Sequence, residues 1–238
     1  MSTPRKIRCH VDQIISHGDH VYSVELSPER PLPTFRPGQF LHLALDEYDP
    51  SGFWPESRVF SIASSPTERN NLTIIYSVKG QYTARMEKEL CVGNAVWTKL
   101  PYGEFVVDGK EDVVLIAGGT GITAFQAFIA ELPANHPNKV LLLYGARRPE
   151  LLLGRELIEG KSLQVPTFSS FLFSEETPHD NSKATIPGRI HLDVIRNASL
   201  SNSIVYYLAG PPPMVTAISN LLAQQGVSGN NIRVDAWE

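Results

Sequence analysis

Within four residues, the segment Arg58-Val59-Phe60-Ser61 offers a guanidinium, an aromatic ring and a hydroxyl. It reads as a β-strand that runs out before Pro66. Side chains alternate along a strand, so Arg58 and Phe60 share a face. A half-buried strand ordinarily separates apolar from polar residues. The mixed face asks what would want a guanidinium and a ring side by side, with Ser61 next in line. A salt bridge for Arg58 and a core position for Phe60 is the alternative.

Three further turns carry chemistry. AGGTGITA follows an apolar run and opens a helical pattern, so Gly119, Gly121 and Ala124 fit G-x-G-x-x-G/A in a strand–helix context. Glycines let a ligand approach the backbone, and a helix N-terminus offers free N–H groups and partial positive charge. A pyrophosphate suits such a place; a tight turn without a ligand is the alternative. The acidic residue expected about 20 positions later to bind a ribose is missing. The next strand ends instead in YGARRPE, with Arg147 and Arg148. AGPPPMV places Gly210 beyond another strand, with prolines stiffening the start of a helix. Ligands in open α/β sheets bind beyond the carboxyl ends of strands, so these two turns are expected to face one crevice. KGQYTARM sets Gly80 and Thr83 at a third helix start, where Thr83 or a neighbour can cap and a phosphate can sit.

Two rhythms must position these residues. IRCHVDQIIS, HVYSVELS, GQFLHLALD, RVFSIAS, NLTIIYSVK, NAVWTKL and GEFVV read as short strands broken by Pro and Gly, with one helical stretch, YTARMEKEL. This suggests an antiparallel barrel or sandwich. DGKED, 108–112, reads as a linker. Beyond it, five apolar strands (113–117, KVLLLYGA, TFSSFLFS, SIVYYLAG and NIRVDAW) alternate with helical patterns, one ending at Gly226. That order implies a parallel sheet with covered faces. The expected division is a β-barrel domain, 1–108, followed by a Rossmann-like α/β domain, 109–238.

Composition narrows the function classes. The chain has 238 residues, 42% hydrophobic and 19% charged, as in an ordinary globular protein. A net charge of -4 gives no field for nucleic acid or an anionic membrane. No apolar run approaches the roughly 20 residues of a membrane span. MSTPRKIRCHVDQ lacks the apolar stretch of a secretory signal, so a cytoplasmic location is expected. Cys9 and Cys91 are the only cysteines, which reads as two reduced thiols and no iron–sulfur cluster. HGDH, 17–20, reads as a hairpin turn rather than a metal site.

The ordered set R-x-aromatic-S, G-x-x-T, GGTG, GPPPM and a terminal acid-x-aromatic resembles the ferredoxin–NADP reductase superfamily along essentially the whole chain. The resemblance implies that FAD lies along Arg58, Val59, Phe60 and Ser61, with Tyr76 and Val78 on the following strand. Arg58 would hold the flavin phosphate, Phe60 would stack on the ring system and Ser61 would hydrogen-bond near its reactive nitrogen. Phe60 stands where the family usually has Tyr. Gly80, Gln81, Tyr82 and Thr83 match the flavin-pyrophosphate turn. Gly118, Gly119, Thr120 and Gly121 match the nicotinamide-dinucleotide turn, and Gly210, Pro211, Pro212 and Met214 the proline turn near the nicotinamide. Ala209 stands where many relatives have Cys, so slower hydride transfer is implied. The ending VDAWE gives Asp235 the acidic role and Trp237 the role of covering the flavin; packing of the last strand is the alternative for Trp237. Glu175 stands where NADP-using relatives often have Arg, which favours NADH, whereas Arg147 favours NADPH.

The implied activity is hydride transfer from NAD(P)H to bound FAD, then electron transfer to a separate acceptor such as a ferredoxin, cytochrome or oxygenase component. Ser61, Asp235 and Trp237 are the implied catalytic residues. Two rivals stay open. One is a flavin reductase that takes free flavin as substrate, and the other a non-catalytic electron-transfer subunit of a larger complex.

Overall fold

The structure is a computed structural model and describes residues 3–176, 185–197, 200 and 203–235. The chain divides into two compact units, Met1–Val106 and Val107–Glu238. The first holds β1 (Arg5–Gly18), β2 (Val21–Pro28), β3 (Phe40–Ala44), β4 (Ser57–Ser61), β5 (Leu72–Ser77), helix α1 (Gln81–Glu89) and β6 (Ala95–Tyr102). Its strands pair antiparallel in the order β4-β3-β6-β1-β2-β5. The sheet curls until its ends meet: just past β4, the Ala63 N–H donates to the Thr73 carbonyl of β5 at 2.9 Å. Alternate residues such as Ile7, Cys9, Leu41 and Leu43 fill the interior, and α1 adds Tyr82 and Met86. The expected fold class, an antiparallel barrel followed by an α/β parallel-sheet domain, is the observed one.

The second unit contains β7 (Asp112–Gly118), a 3₁₀ turn (Gly119–Ile122), α2 (Thr123–Glu131), β8 (Val140–Ala146), α3 (Arg155–Gln164), β9 (Phe168–Ser174), β10 (Ile186–Pro187), β11 (Ile204–Ala209), α4 (Pro212–Gln224) and β12 (Ile232–Val234). All its strands are parallel, in the order β10-β9-β8-β7-β11-β12. Every residue of β7 is buried, as a strand covered on both faces requires. Both cysteines are free thiols, Cys9 buried and Cys91 exposed. Among the described residues no helix is long and apolar enough to cross a membrane.

Three local expectations differ from the structure, and one helix has no pattern that names it. GEFVV, 103–107, forms no strand, because Gly103 turns the chain with φ +98. Asp112 is not linker: it opens β7 and its carboxylate accepts the Lys139 N–H at 2.8 Å. Helix α3 has no sequence signature, since Ile158 is its only buried residue, Gly160 interrupts it and Leu163 is exposed. The last strand, β12, stops at Val234, short of the run expected through Trp237.

Candidate functional site

In the first unit, β4 and α1 bring their chemistry together. The Arg58 guanidinium carbon lies 5.0 Å from the centre of the Tyr82 ring, in the first turn of α1. Tyr82 is itself fixed: its hydroxyl donates to the Leu43 carbonyl at 2.7 Å and accepts the Leu45 N–H at 3.1 Å. Burial pushes its phenol up to about 12, so it stays neutral. Tyr82 thereby bolts the start of α1 to β3, and its ring lies under Arg58 rather than being open to a ligand.

Thr83 sits inside the helix, three residues past the cap residue Gly80. Its hydroxyl oxygen accepts the Gly80 and Lys79 N–H groups at 3.1 and 2.9 Å and donates to the Gly80 carbonyl at 3.1 Å. The hydroxyl is therefore spent on closing the turn. The N–H groups of Gln81, Tyr82 and Thr83 are the ones that lie too early in the helix for an intrahelical carbonyl. Gly80 has an extended φ of -155, which any residue can adopt, and a Cβ there would meet nothing within 4 Å. Neither backbone nor packing demands glycine at 80; its effect is to leave room outside the protein surface. A guanidinium, three free N–H groups and that room make an anion cradle.

Phe60 shares its face with Arg58, as alternation requires. It is half-buried, packs against the barrel core and meets Tyr76 edge-on at 6.2 Å. Tyr76 is almost fully buried and stacks on Tyr22 at 5.4 Å, so it props Phe60 from below. Val78 also packs on the core, and its N–H donates to the His20 carbonyl. Val59 pairs with His42 on the other face of the sheet. The Ser61 hydroxyl has no hydrogen-bond partner among the described residues. Arg58 also pairs with Glu56 at 3.2 Å, the kind of salt bridge that the alternative reading of this strand expected. Both side chains are at least half exposed, and such pairs contribute little.

In the second unit, the turns after β7 and β11 pack against each other. A Cβ at Gly118 would lie 2.6 Å from the Met214 sulfur, and one at Gly121 2.3 Å from the Ala209 carbonyl oxygen. One at Gly210 (φ +145) would lie 2.9 Å from the Gly118 nitrogen. These three glycines exist because two backbones and Met214 occupy the space. Gly119 differs: it has φ +53, and a Cβ there would meet nothing. Thr123 steadies the turn by donating to the Thr120 carbonyl at 2.8 Å. Pro211 precedes α4 and Pro212 is its first residue; both are exposed.

At the ends of β8 and β9, charges pair off. Arg147 meets Glu176 at 3.3 Å, and Glu175 meets Arg189 at 3.2 Å. Neither partner was visible from spacing, because Arg189 returns from well along the chain. Beyond β12, the Asp235 N–H donates to the Leu208 carbonyl at 2.9 Å. Its Oδ1 is buried with no hydrogen-bond partner among the described residues, and burial pushes the carboxyl up to about 7. Trp237 lies outside the described residues.

Residues 115–220 match the model of the oxidoreductase NAD-binding domain family. The chain is similar to the reductase component DmpP of phenol 2-monooxygenase from Pseudomonas sp. (strain CF600), 29% identical over 90% of this chain and 60% of the relative. It is 24% identical to a flavohemoprotein of Rhizobium meliloti (strain 1021), over 87% of this chain and 54% of that protein. The chain thus spans little more than half the length of these relatives. Among solved structures, the Amycolatopsis cytochrome P450 reductase GcoB matches all of this chain and 71% of its own, with a TM-score of 0.84 and 23% identity, a likeness of fold.

Proposed function

We propose that this chain is a ferredoxin–NADP reductase-like, NAD(P)H-dependent flavoprotein reductase that hands electrons to a separate acceptor, such as a ferredoxin, cytochrome or oxygenase component. The observation that carries this reading is the convergence of Arg58 with the free N–H groups of α1 beside Gly80. That cradle fits the pyrophosphate of FAD. The orphaned Asp235 Oδ1 and the open backbone of Gly119 fit a second ligand, the dinucleotide NAD(P)H. When bound, FAD supplies the chemistry of taking an electron pair and releasing electrons singly.

The protein's own groups bind and orient. Arg58 neutralises phosphate charge with charge-assisted hydrogen bonds, which are the stronger kind. Phe60, propped by Tyr76, offers a ring face, and Ser61 offers an uncommitted hydroxyl. Gly118, Thr120 and Gly121 hold the turn on which Gly119 presents open backbone, with Pro211, Pro212 and Met214 closing it from the β11 side. Asp235, raised to about 7, holds a proton near neutrality and can donate it in a hydrogen bond. Trp237 keeps its proposed covering role. At the adenosine end, Glu175 beside Arg147 and Glu176 disfavours a 2′-phosphate, so NADH is the proposed donor and NADPH the poorer one.

A flavin-reductase reading, with free flavin as substrate, is favoured by one observation: Glu56 competes for Arg58, which weakens retention of a flavin phosphate. Anaerobic titration of the purified protein with NADH separates the two. A yellow protein that bleaches is a flavoprotein reductase. A colourless protein that bleaches only added flavin is a flavin reductase, and no bleaching in either format sinks both.

A further inference from the structure

The barrel carries a second cationic feature apart from β4 and α1. A hollow of about 510 Å³ is lined by Arg5, Lys6, Arg30, Tyr48 and Trp97, with Pro4 and Pro50 at its margin. That volume lies within the range of small-molecule sites, roughly 300–1,000 Å³. Strand alternation puts Lys6 on the outward face of β1, away from Ile7 and Cys9, and Trp97 stands outward on neighbouring β6.

The cations of the hollow are not spent on carboxylates. Lys6 donates to the Tyr48 hydroxyl, and its ammonium lies 4.2 Å from the centre of the Tyr48 ring. Arg30 donates to the Lys6 carbonyl. Among the described residues none of Arg5, Lys6 and Arg30 stands in an ion pair. The carboxylates nearest in sequence are engaged elsewhere: Glu29 with Arg8 and His10, Glu47 with Arg8, and Asp49 with the Ser51 N–H and hydroxyl. Its aromatic walls are Tyr48 and Trp97, which meet edge-on at 5.3 Å, and Trp54 backs Tyr48 at 5.4 Å in a tilted contact. The Trp97 indole N–H is buried and has no acceptor among the described residues. A buried donor without an acceptor is costly, and a protein surface seldom keeps one.

Cations without a carboxylate partner call for an anion, and aromatic walls with flanking prolines call for a flat apolar body. We propose that this hollow binds a small planar anion, an aromatic ring carrying a carboxylate or phosphate group. The proposal rests on the first unit alone and does not depend on the reductase reading.

Calorimetric titration tests it with benzoate and phenyl phosphate as probes, and with benzyl alcohol and inorganic phosphate as controls lacking charge or ring. One aromatic anion should bind saturably and both controls at least about tenfold more weakly, one charge-assisted contact being worth about that factor. The better probe tells carboxylate from phosphate. Arg30→Ala and Trp97→Phe should each weaken binding several-fold, whereas Arg58→Ala should not change it. Saturable binding that survives Arg30→Ala and Trp97→Phe, or that Arg58→Ala abolishes, overturns the site. So does the absence of saturable binding for both aromatic anions.

Discussion

Arg58 on β4 lies over the ring of Tyr82 on α1, with 5.0 Å between guanidinium carbon and ring centre. Two residues 24 positions apart thus combine a cation with the N-terminus of a helix. Tyr82 is held from beneath by Leu43 and Leu45, so the helix start cannot drift from the strand that carries Arg58.

Removing the cation tests that convergence. Arg58→Ala should weaken flavin affinity by about tenfold or more, the worth of a charge-assisted hydrogen bond. Its melting temperature without flavin should be nearly unchanged, because the exposed Glu56 pair contributes little. Flavin content after gel filtration reads the first and a thermal melt the second; unaltered flavin content removes Arg58 from the site.

The glycines separate into two kinds, and paired variants tell them apart. Gly80→Val should leave the fold intact, since φ is extended and the Cβ direction is open, yet weaken flavin binding by crowding the cradle. Gly121→Val should lower the melting temperature sharply, because its Cβ would strike the Ala209 carbonyl. If Gly80→Val binds flavin as the parent does, nothing approaches that backbone.

Asp235 makes stability depend on pH. Its carboxyl titrates near 7 in the folded chain against an ordinary value of 3.8. The folded state therefore holds a proton that the unfolded state has released, and stability falls as pH rises from about 4 through about 7. Asp235→Asn should remove this loss, on the order of a few kcal/mol, and gain relative to the parent at pH 8 but not at pH 4. Urea denaturation at the two pH values measures it; parallel curves would show that Asp235 is solvated.

Donor choice is tested at the end of β9. Glu175→Arg should raise the ratio of NADPH to NADH use, since it adds a cation beside Arg147 and removes the acid paired with Arg189. Steady-state kinetics with both donors decides; an unaltered ratio places the adenosine ribose elsewhere.

Much of this was legible in the chain itself. Strand alternation, glycine turns and the change from short polar-flanked strands to buried apolar ones are local properties, written in residues a few positions apart. They determined the barrel, the parallel sheet and which turns stand at strand ends. Helix α3 was not legible, because a helix with one buried residue has no periodic stripe to read. Only the tertiary structure decided which glycines serve packing and which face outward, since Gly118 and Gly121 have a distant strand and Met214 beside them, whereas Gly119, with φ +53, has open space. It likewise decided that Thr83 spends its hydroxyl on its own turn, that Glu56 and Glu176 claim Arg58 and Arg147, and that the Asp235 Oδ1 is shielded from solvent. Free space, ion pairing and desolvation depend on neighbours remote in sequence, and only the folded chain brings those neighbours into contact.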